Sequence, residues 1–284
     1  MKKVLTVISV ISPVTALISA LLGLFYSFGG TQRTVTNIYG QQVTLLGDGV
    51  YANDSVMKAA AAKGTDITII IAALFLLCIL IFHKNKSKAI LVRCGLLSIL
   101  LYASACLVFG VVYNMLFLLY LLQFGSTLFS LILSLKQLLS SRAFDEALYK
   151  IKLTGTAVFL IIAGCSTLIW IPFVLTPTIT GQPMQIIEIY TTEPTFILDL
   201  AIILPLLLYC AIALLQQKES AYHLAPVFLT LLTGVGVCVI FQTIIQISLG
   251  IVLDPGQFVG MVVSFIILGT VALVLNIRLL RRTV

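Results

Sequence analysis

Hydrophobic residues along this chain fall into eight long runs, separated by shorter polar segments. The hydrocarbon core of a bilayer needs about 20 apolar residues per spanning helix, and each run comes close to that length. Because backbone groups in lipid must be hydrogen-bonded within their own segment, each run is predicted to be a helix. The predicted helices cover residues 4–27, 66–83, 89–111, 115–135, 155–175, 196–215, 223–247 and 258–277.

Two of the connecting segments are long. The first contains TQRTVTNIYGQQVTLL, whose β-branched and polar residues alternate around Gly40 and predict a β-hairpin. The following NDSVMKAAAA predicts a short helix with Asn53 or Asp54 as its N-cap and Gly64 as its end. The second long segment covers residues 176–195.

The order of helices and connections repeats along the chain. It predicts two parallel four-helix repeats, residues 1–135 and 154–284, joined by a basic amphipathic link at 136–153 that lies along the membrane surface. Asp66 and Asp199 then head the second helix of each half. The expected fold is an all-α bundle of eight transmembrane helices with a small extracytoplasmic layer made of the hairpin and the short helix.

Composition and charge exclude a water-soluble fold. The chain is 60% hydrophobic and 10% charged, whereas soluble domains contain about 25% charged residues. If both termini are cytoplasmic, all but three of the 17 basic residues lie on the cytoplasmic side, the exceptions being Arg33, Lys58 and Lys63. This bias predicts a multi-pass protein of the bacterial cytoplasmic membrane. No basic run is interleaved with aromatic residues, so nucleic acid is not an expected partner.

The sequence offers little for catalysis or for a cofactor. It has two histidines, His83 and His223, each at the end of a predicted helix, and six cysteines that all lie in apolar runs. It lacks the spacings typical of zinc sites, nucleotide-binding loops and serine hydrolases. We therefore expect no cofactor, no metal and no catalytic residue, and an enzymatic activity is disfavoured.

Three segments resemble an uncharacterised family of bacterial integral membrane proteins. They are GDGVYANDSVMKAAAAKGTDITII, YNMLFLLYLLQFGSTLFSLIL and YTTEPTFILDLAIILPLLL. The resemblance implies a bacterial, multi-pass membrane protein, and it supplies neither an activity nor site residues.

Several polar residues interrupt the predicted helices or their outer turns. Gln123 lies in the fourth helix, Gln242 and Gln246 lie one turn apart in the seventh, and Tyr113 and Asn114 form the turn before the fourth. Polar groups in hydrocarbon turn towards the bundle interior. Two interpretations stay open: the glutamines hydrogen-bond neighbouring helices, or they line a pocket.

The two aspartates are interpreted differently. Thr65 can cap the second helix, which leaves Asp66 as the first helical residue, facing the positive end of the helix dipole. Asp199 lies five residues beyond Pro194, about 7 Å deeper at 1.5 Å per residue, where capping does not reach. Asp199 is therefore expected to face inward, towards Tyr113, Asn114, a basic residue of the first loop or a ligand.

These observations predict a site at the outer mouth of the bundle that binds a small ligand or a lipid. Asp199 would anchor it, Asp66 would be its weaker counterpart, and the other polar residues above would line it. Two alternatives are a small-molecule transporter that works between the two halves, and an accessory protein whose outer loops hold a membrane-protein partner.

Overall fold

The computed structural model describes residues 2–82, 87–141, 144 and 146–282. Within these residues, eight helices are long and apolar enough to cross a membrane, which agrees with the predicted number. A short helix, α5, lies between the fourth and fifth of them, and single helical turns occur at Gln185–Ile187 and Pro255–Gln257. The helices are α1 (Lys2–Phe25), α2 (Val56–Phe82), α3 (Ser87–Gly110), α4 (Phe117–Leu139), α5 (Glu146–Tyr149), α6 (Thr154–Thr180), α7 (Pro194–Leu215), α8 (Glu219–Ser248) and α9 (Phe258–Leu280).

The second helix differs from its prediction. It begins at Val56 and continues without a break through Gly64 and Asp66, so the expected short helix is the first part of α2. Its first turn is capped by Ser55, whose Oγ accepts a hydrogen bond from the backbone N–H of Lys58 at 3.2 Å. The predictions of Asn53 or Asp54 as the cap, and of Gly64 as the helix end, are wrong.

Gly64 has a packing role instead. A Cβ atom there would lie 2.4 Å from backbone atoms of Gln242, because α2 and α8 cross at this point. Glycine lets the two backbones approach closely, as small residues do where membrane helices cross.

A two-stranded hairpin follows α1. Strands β1 (Arg33–Thr36) and β2 (Gln42–Leu45) pair antiparallel, with Thr34 opposite Thr44. The turn between them includes Gly40, which has a φ of +80° that favours glycine.

The helices of the two predicted halves interlock. The second-half helix α8 packs against α2 and α3 of the first half as well as against α9. α1 packs against α2 and α4, and α6 packs against α7. The division into residues 1–135 and 154–284 and the internal repeat stay predictions, as does the surface position of the link at 136–153, in which Phe144 and Leu148 are buried.

We call one end of the bundle the loop face. It is formed by residues 26–55, with the hairpin, and by the connections 181–193 and 249–257. Because the number of spans is even, α1 begins and α9 ends at the opposite face.

Candidate functional site

A cavity of about 580 Å³ lies beneath the loop face. Its wall is formed by α2, α3 and α8 together with the parts of α6, α7 and α9 that lie nearest the loop face. Along α8 it extends from Gln246 to Leu231, which is fifteen residues, or about 22 Å at 1.5 Å per residue. The cavity therefore reaches from the loops to about the middle of the bundle.

Three helices lose their regular geometry beside this cavity. α6 tightens into a 3₁₀ turn at Thr167–Trp170, and π-helical segments occur at Asp199–Ile203 in α7 and at Phe258–Val263 in α9. Pro205 explains the segment in α7, since its ring lacks an N–H and clashes with the carbonyl four residues earlier, at Ala201. Single π-helical turns within α-helices are frequent at functional sites.

The irregular segments place Trp170 and Asp199 together in the wall. Trp170 Nε1 donates a 2.8 Å hydrogen bond to Asp199 Oδ2, and the hydroxyl of Tyr102 in α3 donates one of 2.8 Å to Oδ1. The indole also stacks on Phe196, with ring centroids 4.9 Å apart. Each carboxylate oxygen thus has one neutral donor, and the side chain is held in a fixed orientation.

Asp199 is only 6% exposed, yet it lines the cavity and forms no ion pair with any described residue. It does not contact Tyr113 or Asn114, contrary to two of the contacts expected for it. Tyr113 is 76% exposed and packs against Phe117, while Asn114 hydrogen-bonds the backbone of Val112 and Leu116.

Lys58, a cation on the cavity wall, is already paired. Lys58 Nζ lies 2.8 and 3.0 Å from the two carboxylate oxygens of Glu193 and sits over the Tyr190 ring, 5.4 Å from its centroid. Glu193 Oε1 also accepts from the backbone N–H of Thr195, which caps α7. Lys58 is therefore committed to joining α2 to the start of α7.

A second set of contacts ties the connection 181–193 to the segment before α2, and we call it the loop clasp: Asp54, Ser55, Glu188 and Tyr190. Ser55 donates its hydroxyl to Glu188 and its backbone N–H, at 3.1 Å, to the Tyr190 hydroxyl. Tyr190 in turn donates to Asp54 Oδ1 at 2.9 Å, which also accepts from the N–H of Val112 at 2.8 Å. The clasp covers the mouth of the cavity from one side, where Glu188 and Tyr190 line it.

Burial raises the pKa values of the two carboxyl groups in the loop clasp. It raises the pKa of Asp54 from 3.8 to about 6, and the two hydrogen bonds to this carboxylate only partly oppose the rise. Burial likewise raises the pKa of Glu188, although its bond to Ser55 lowers it in part.

Gln242 and Gln246 line the cavity on α8. Gln242 Nε2 donates to Thr65 Oγ1 at 3.0 Å and so bridges α8 to α2. Gln246 Nε2 lies 3.4 Å from the sulfur of Met57. Gln242 thus joins two helices and also lies in the cavity wall.

Asp66 and Gln123 lie away from the cavity. Asp66 is fully buried inside α2, where its Oδ2 accepts a 2.8 Å hydrogen bond from Tyr51, so its predicted place at the start of a helix is wrong. Gln123 accepts from Ser19 of α1. The cavity therefore gathers three of the seven predicted residues, which are Asp199, Gln242 and Gln246.

The sequence interpretation missed Tyr102, Trp170 and the loop clasp. Trp170 and Tyr102 both lie in predicted apolar helices, where no neighbouring residue marks them as part of a site. The clasp joins residues more than 130 positions apart, such as Ser55 and Tyr190. The sequence around either residue contains no pattern that predicts such a contact.

The described histidine and cysteines do not form a cluster of metal ligands. His223 is buried against Tyr149, 3.1 Å from its hydroxyl, while His83 lies outside the described residues. Among the residues that the structure describes, no three His, Cys, Asp or Glu side chains come together as metal ligands.

No family model, curated protein or solved structure matches this chain.

Proposed function

We propose that this protein binds an amphipathic molecule in the cavity beneath the loop face, with an ammonium or other hydrogen-bond-donating head group at Asp199 and an apolar body along α8 and α9. The observation that carries the proposal is Asp199 itself, a carboxylate that is almost fully buried, oriented by two donors and without a cationic partner among the described residues.

The size and lining of the cavity support a small ligand. Small-molecule sites typically measure about 300–1,000 Å³ and are mostly apolar, with a few placed polar groups. The volume of about 580 Å³ falls within that range. Phe173, Met261 and Phe265 contribute apolar wall, and Asp199 and Gln242 contribute the polar points.

Charge supports a donor or cationic head group over an anionic one. Lys58 is neutralised by Glu193, and the remaining acids on the wall are Asp199 and Glu188. An unpaired buried carboxylate costs free energy unless it is protonated or meets a cation. An ammonium group would offset that cost, whereas a carboxylate ligand would add to it.

The location supports access from outside the cell. The bias of basic residues supports an orientation in which the loop face lies outside the cytoplasm in a bacterial cytoplasmic membrane. In this orientation the cavity would receive either a molecule from the external medium or a lipid of the outer leaflet.

The test uses Trp170, the one tryptophan in the chain, as a reporter beside the proposed head-group site. Bromododecylamine, bromododecanol and bromododecanoate are titrated into the protein in phosphatidylcholine nanodiscs, and quenching of Trp170 fluorescence is measured. We expect the amine to bind most tightly. Asp199→Asn should weaken amine binding by about 2 kcal/mol, roughly thirtyfold in Kd, and leave alcohol binding little changed.

Glu219→Gln, on the opposite face, serves as the matched control that keeps wild-type binding. Equal quenching by all three probes, or an unchanged amine affinity in Asp199→Asn, would contradict the proposal. Adding phosphatidylethanolamine to the nanodiscs separates the two sources of ligand, because a lipid amine that fills the site reduces quenching by the probe.

Transport is a second candidate function. The cavity reaches only the middle of the bundle, and a proline-associated break in α7 lies beside it, as in transporters whose broken helices form the substrate site. Accumulation of the amine inside sealed vesicles that contain the protein, and its loss in Asp199→Asn, would extend binding to transport.

A further inference from the structure

A buried polar seam runs between α1 and α4, on the side of α2 away from the cavity. On α4 it consists of Tyr120, Gln123, Thr127, Ser130 and Ser134, spaced alternately by three and four residues, so that they share one face of the helix. Each of the five is at most 1% exposed.

On α1 the seam consists of Ser9, Ser12 and Ser19, which are also at most 1% exposed. Two hydrogen bonds join the helices: Ser12 Oγ lies 2.7 Å from Thr127 Oγ1, and Ser19 Oγ donates to Gln123 Oε1 at 2.5 Å. From Tyr120 to Ser134 the seam extends fourteen residues, or about 21 Å, and so covers most of the thickness of a hydrocarbon core of about 30 Å.

The seam holds most of the unsatisfied polar atoms of the bundle. Nine buried side-chain nitrogen or oxygen atoms of the described residues lack a hydrogen-bond partner, and six belong to the seam or to Asp66 beside it. These six atoms are Ser9 Oγ, Asp66 Oδ1, Tyr120 Oη, Gln123 Nε2, Ser130 Oγ and Ser134 Oγ.

Such atoms are rare in folded proteins, because an unpaired buried polar group costs about 1–3 kcal/mol. Ordered water is the usual partner when protein groups are missing, and each buried water makes about three hydrogen bonds. Ordered water molecules would satisfy the five open groups of the seam and the open oxygen of Asp66 beside it. Close packing of small residues alone does not explain serines whose hydroxyls bond nothing.

Asp66 stands at the end of the seam nearest the loop face. It lies level with Gly23, two residues before the end of α1, and a Cβ atom on Gly23 would lie 2.2 Å from Asp66 Oδ2. Glycine thus makes room for the carboxylate. One oxygen of Asp66 is bound to Tyr51 and the other has no partner.

The ionisable groups around Asp66 are few. They are Lys63 of its own helix, Tyr51 of the loop before α2, Tyr120 of α4 and Cys238 of α8. Lys63 lies nearer the loop face and forms no ion pair with Asp66, since its Nζ contacts the Leu24 carbonyl at 3.5 Å. Asp66 can therefore take up or release a proton without breaking an ion pair.

From this geometry we infer that the seam is a proton path, in which Asp66 exchanges protons with the loop face and hydrated hydroxyls carry them to the opposite face. Asp66 binds one proton. Each hydroxyl or water oxygen in turn accepts one proton and releases another, and the last is released beside Ser134. Intramembrane carboxylates commonly serve as proton relays. The inference does not depend on the proposed ligand site.

The test is proton flux into vesicles. Protein is reconstituted with a pH-sensitive dye inside, and a valinomycin-induced potassium potential, negative inside, drives protons inward. Wild type should acidify the interior faster than protein-free vesicles do. Asp66→Asn should reduce the flux to the protein-free level, and Ser130→Val, which fills the seam with methyl groups, should do the same.

Ser104→Ala is the matched control, because Ser104 is equally buried in α3 but already donates to the Leu100 carbonyl. It should keep wild-type flux. Each variant is checked for folding by its thermal transition, and Ser134→Ala provides a milder change if Ser130→Val does not fold. Wild-type flux no greater than that of empty vesicles, or equal flux in Asp66→Asn and wild type, would overturn the inference.

Discussion

Asp54, Asp66 and Asp199 are each at most 6% exposed, and a tyrosine hydroxyl donates to each of them. The donors are Tyr190, Tyr51 and Tyr102, at 2.9, 2.8 and 2.8 Å. None of the three acids forms an ion pair among the described residues. A neutral donor lowers the cost of burying a carboxylate without cancelling its charge, so each acid remains able to meet a proton or a cation.

At the residue scale, the raised pKa of Asp54 predicts that the stability of the loop clasp depends on pH. Its pKa is raised from 3.8 to about 6 in the folded state, so the fold favours the protonated acid. The stability associated with that preference is present below about pH 4 and is lost as the pH rises through about 6, by up to about 3 kcal/mol. The loop clasp should therefore open more readily at pH 8 than at pH 4.5.

Hydrogen exchange of the Val112 amide, which donates to Asp54, measures this opening once it is corrected for the intrinsic pH dependence of exchange. The Glu188 pKa is also raised, so that group changes stability in the same direction. In Asp54→Asn the pH dependence should shrink to the part due to Glu188. A clasp that opens less at pH 8 would show that the sign is wrong.

At the scale of the elements, the helices that form the polar seam are regular, and irregular helices border the cavity. α1 and α4 are continuous helices packed along a polar seam, whereas α6, α7 and α9 change their helical geometry where they border the cavity. Trp170 ends the 3₁₀ turn of α6 and Asp199 begins the π-helical segment of α7, so the two side chains that meet both lie where the helical geometry changes.

The crossing of α2 and α8 can be tested through Gly64. Gly64→Ala would place a methyl group 2.4 Å from the backbone of Gln242, and backbone cannot move aside as a flexible side chain can. Overpacking of this kind costs about 1–3 kcal/mol. We expect a lower thermal transition and, because Gln242 lines the cavity, weaker quenching of Trp170 by the amine probe.

Gly125→Ala is the control, since a Cβ atom there has nothing within 4 Å and alanine favours a helix. It should leave stability unchanged or raise it slightly. If both variants melt alike, the close approach at Gly64 is not a constraint on the bundle.

At the scale of the whole molecule, orientation in the membrane decides which solution reaches the cavity. We predict that the loop face is external, and we propose cysteine labelling in a background without the six native cysteines. Ile38→Cys, at a position 90% exposed in the hairpin turn, should react with an impermeant maleimide in intact cells. Lys218→Cys, at the opposite face, should react only after permeabilisation. The reverse pattern would invert the topology and move the site to the cytoplasm.

The sequence alone determined the class and the spans of this protein. Runs of about 20 apolar residues admit little besides helices in a bilayer, so the number of helices followed from composition and length, as did their approximate bounds except at the start of α2. The inward position of Asp199 also followed, because a buried charge is costly in lipid. Each of these inferences depends only on one segment of the chain and on the solvent that surrounds it.

Only the tertiary structure decided which polar groups meet. The sequence put Asp66 and Asp199 at matching places in a predicted repeat and at one site, but Asp66 lies beside α1 and α4, whereas Asp199, at the start of the π-helical segment of α7, lines the cavity. Gly64 looked like a helix end because glycine often is one, and the contact that overrides this tendency comes from α8, far away in the chain. A contact between distant segments depends on how whole helices cross and rotate, and a single apolar helix in lipid has no local feature that specifies its neighbour.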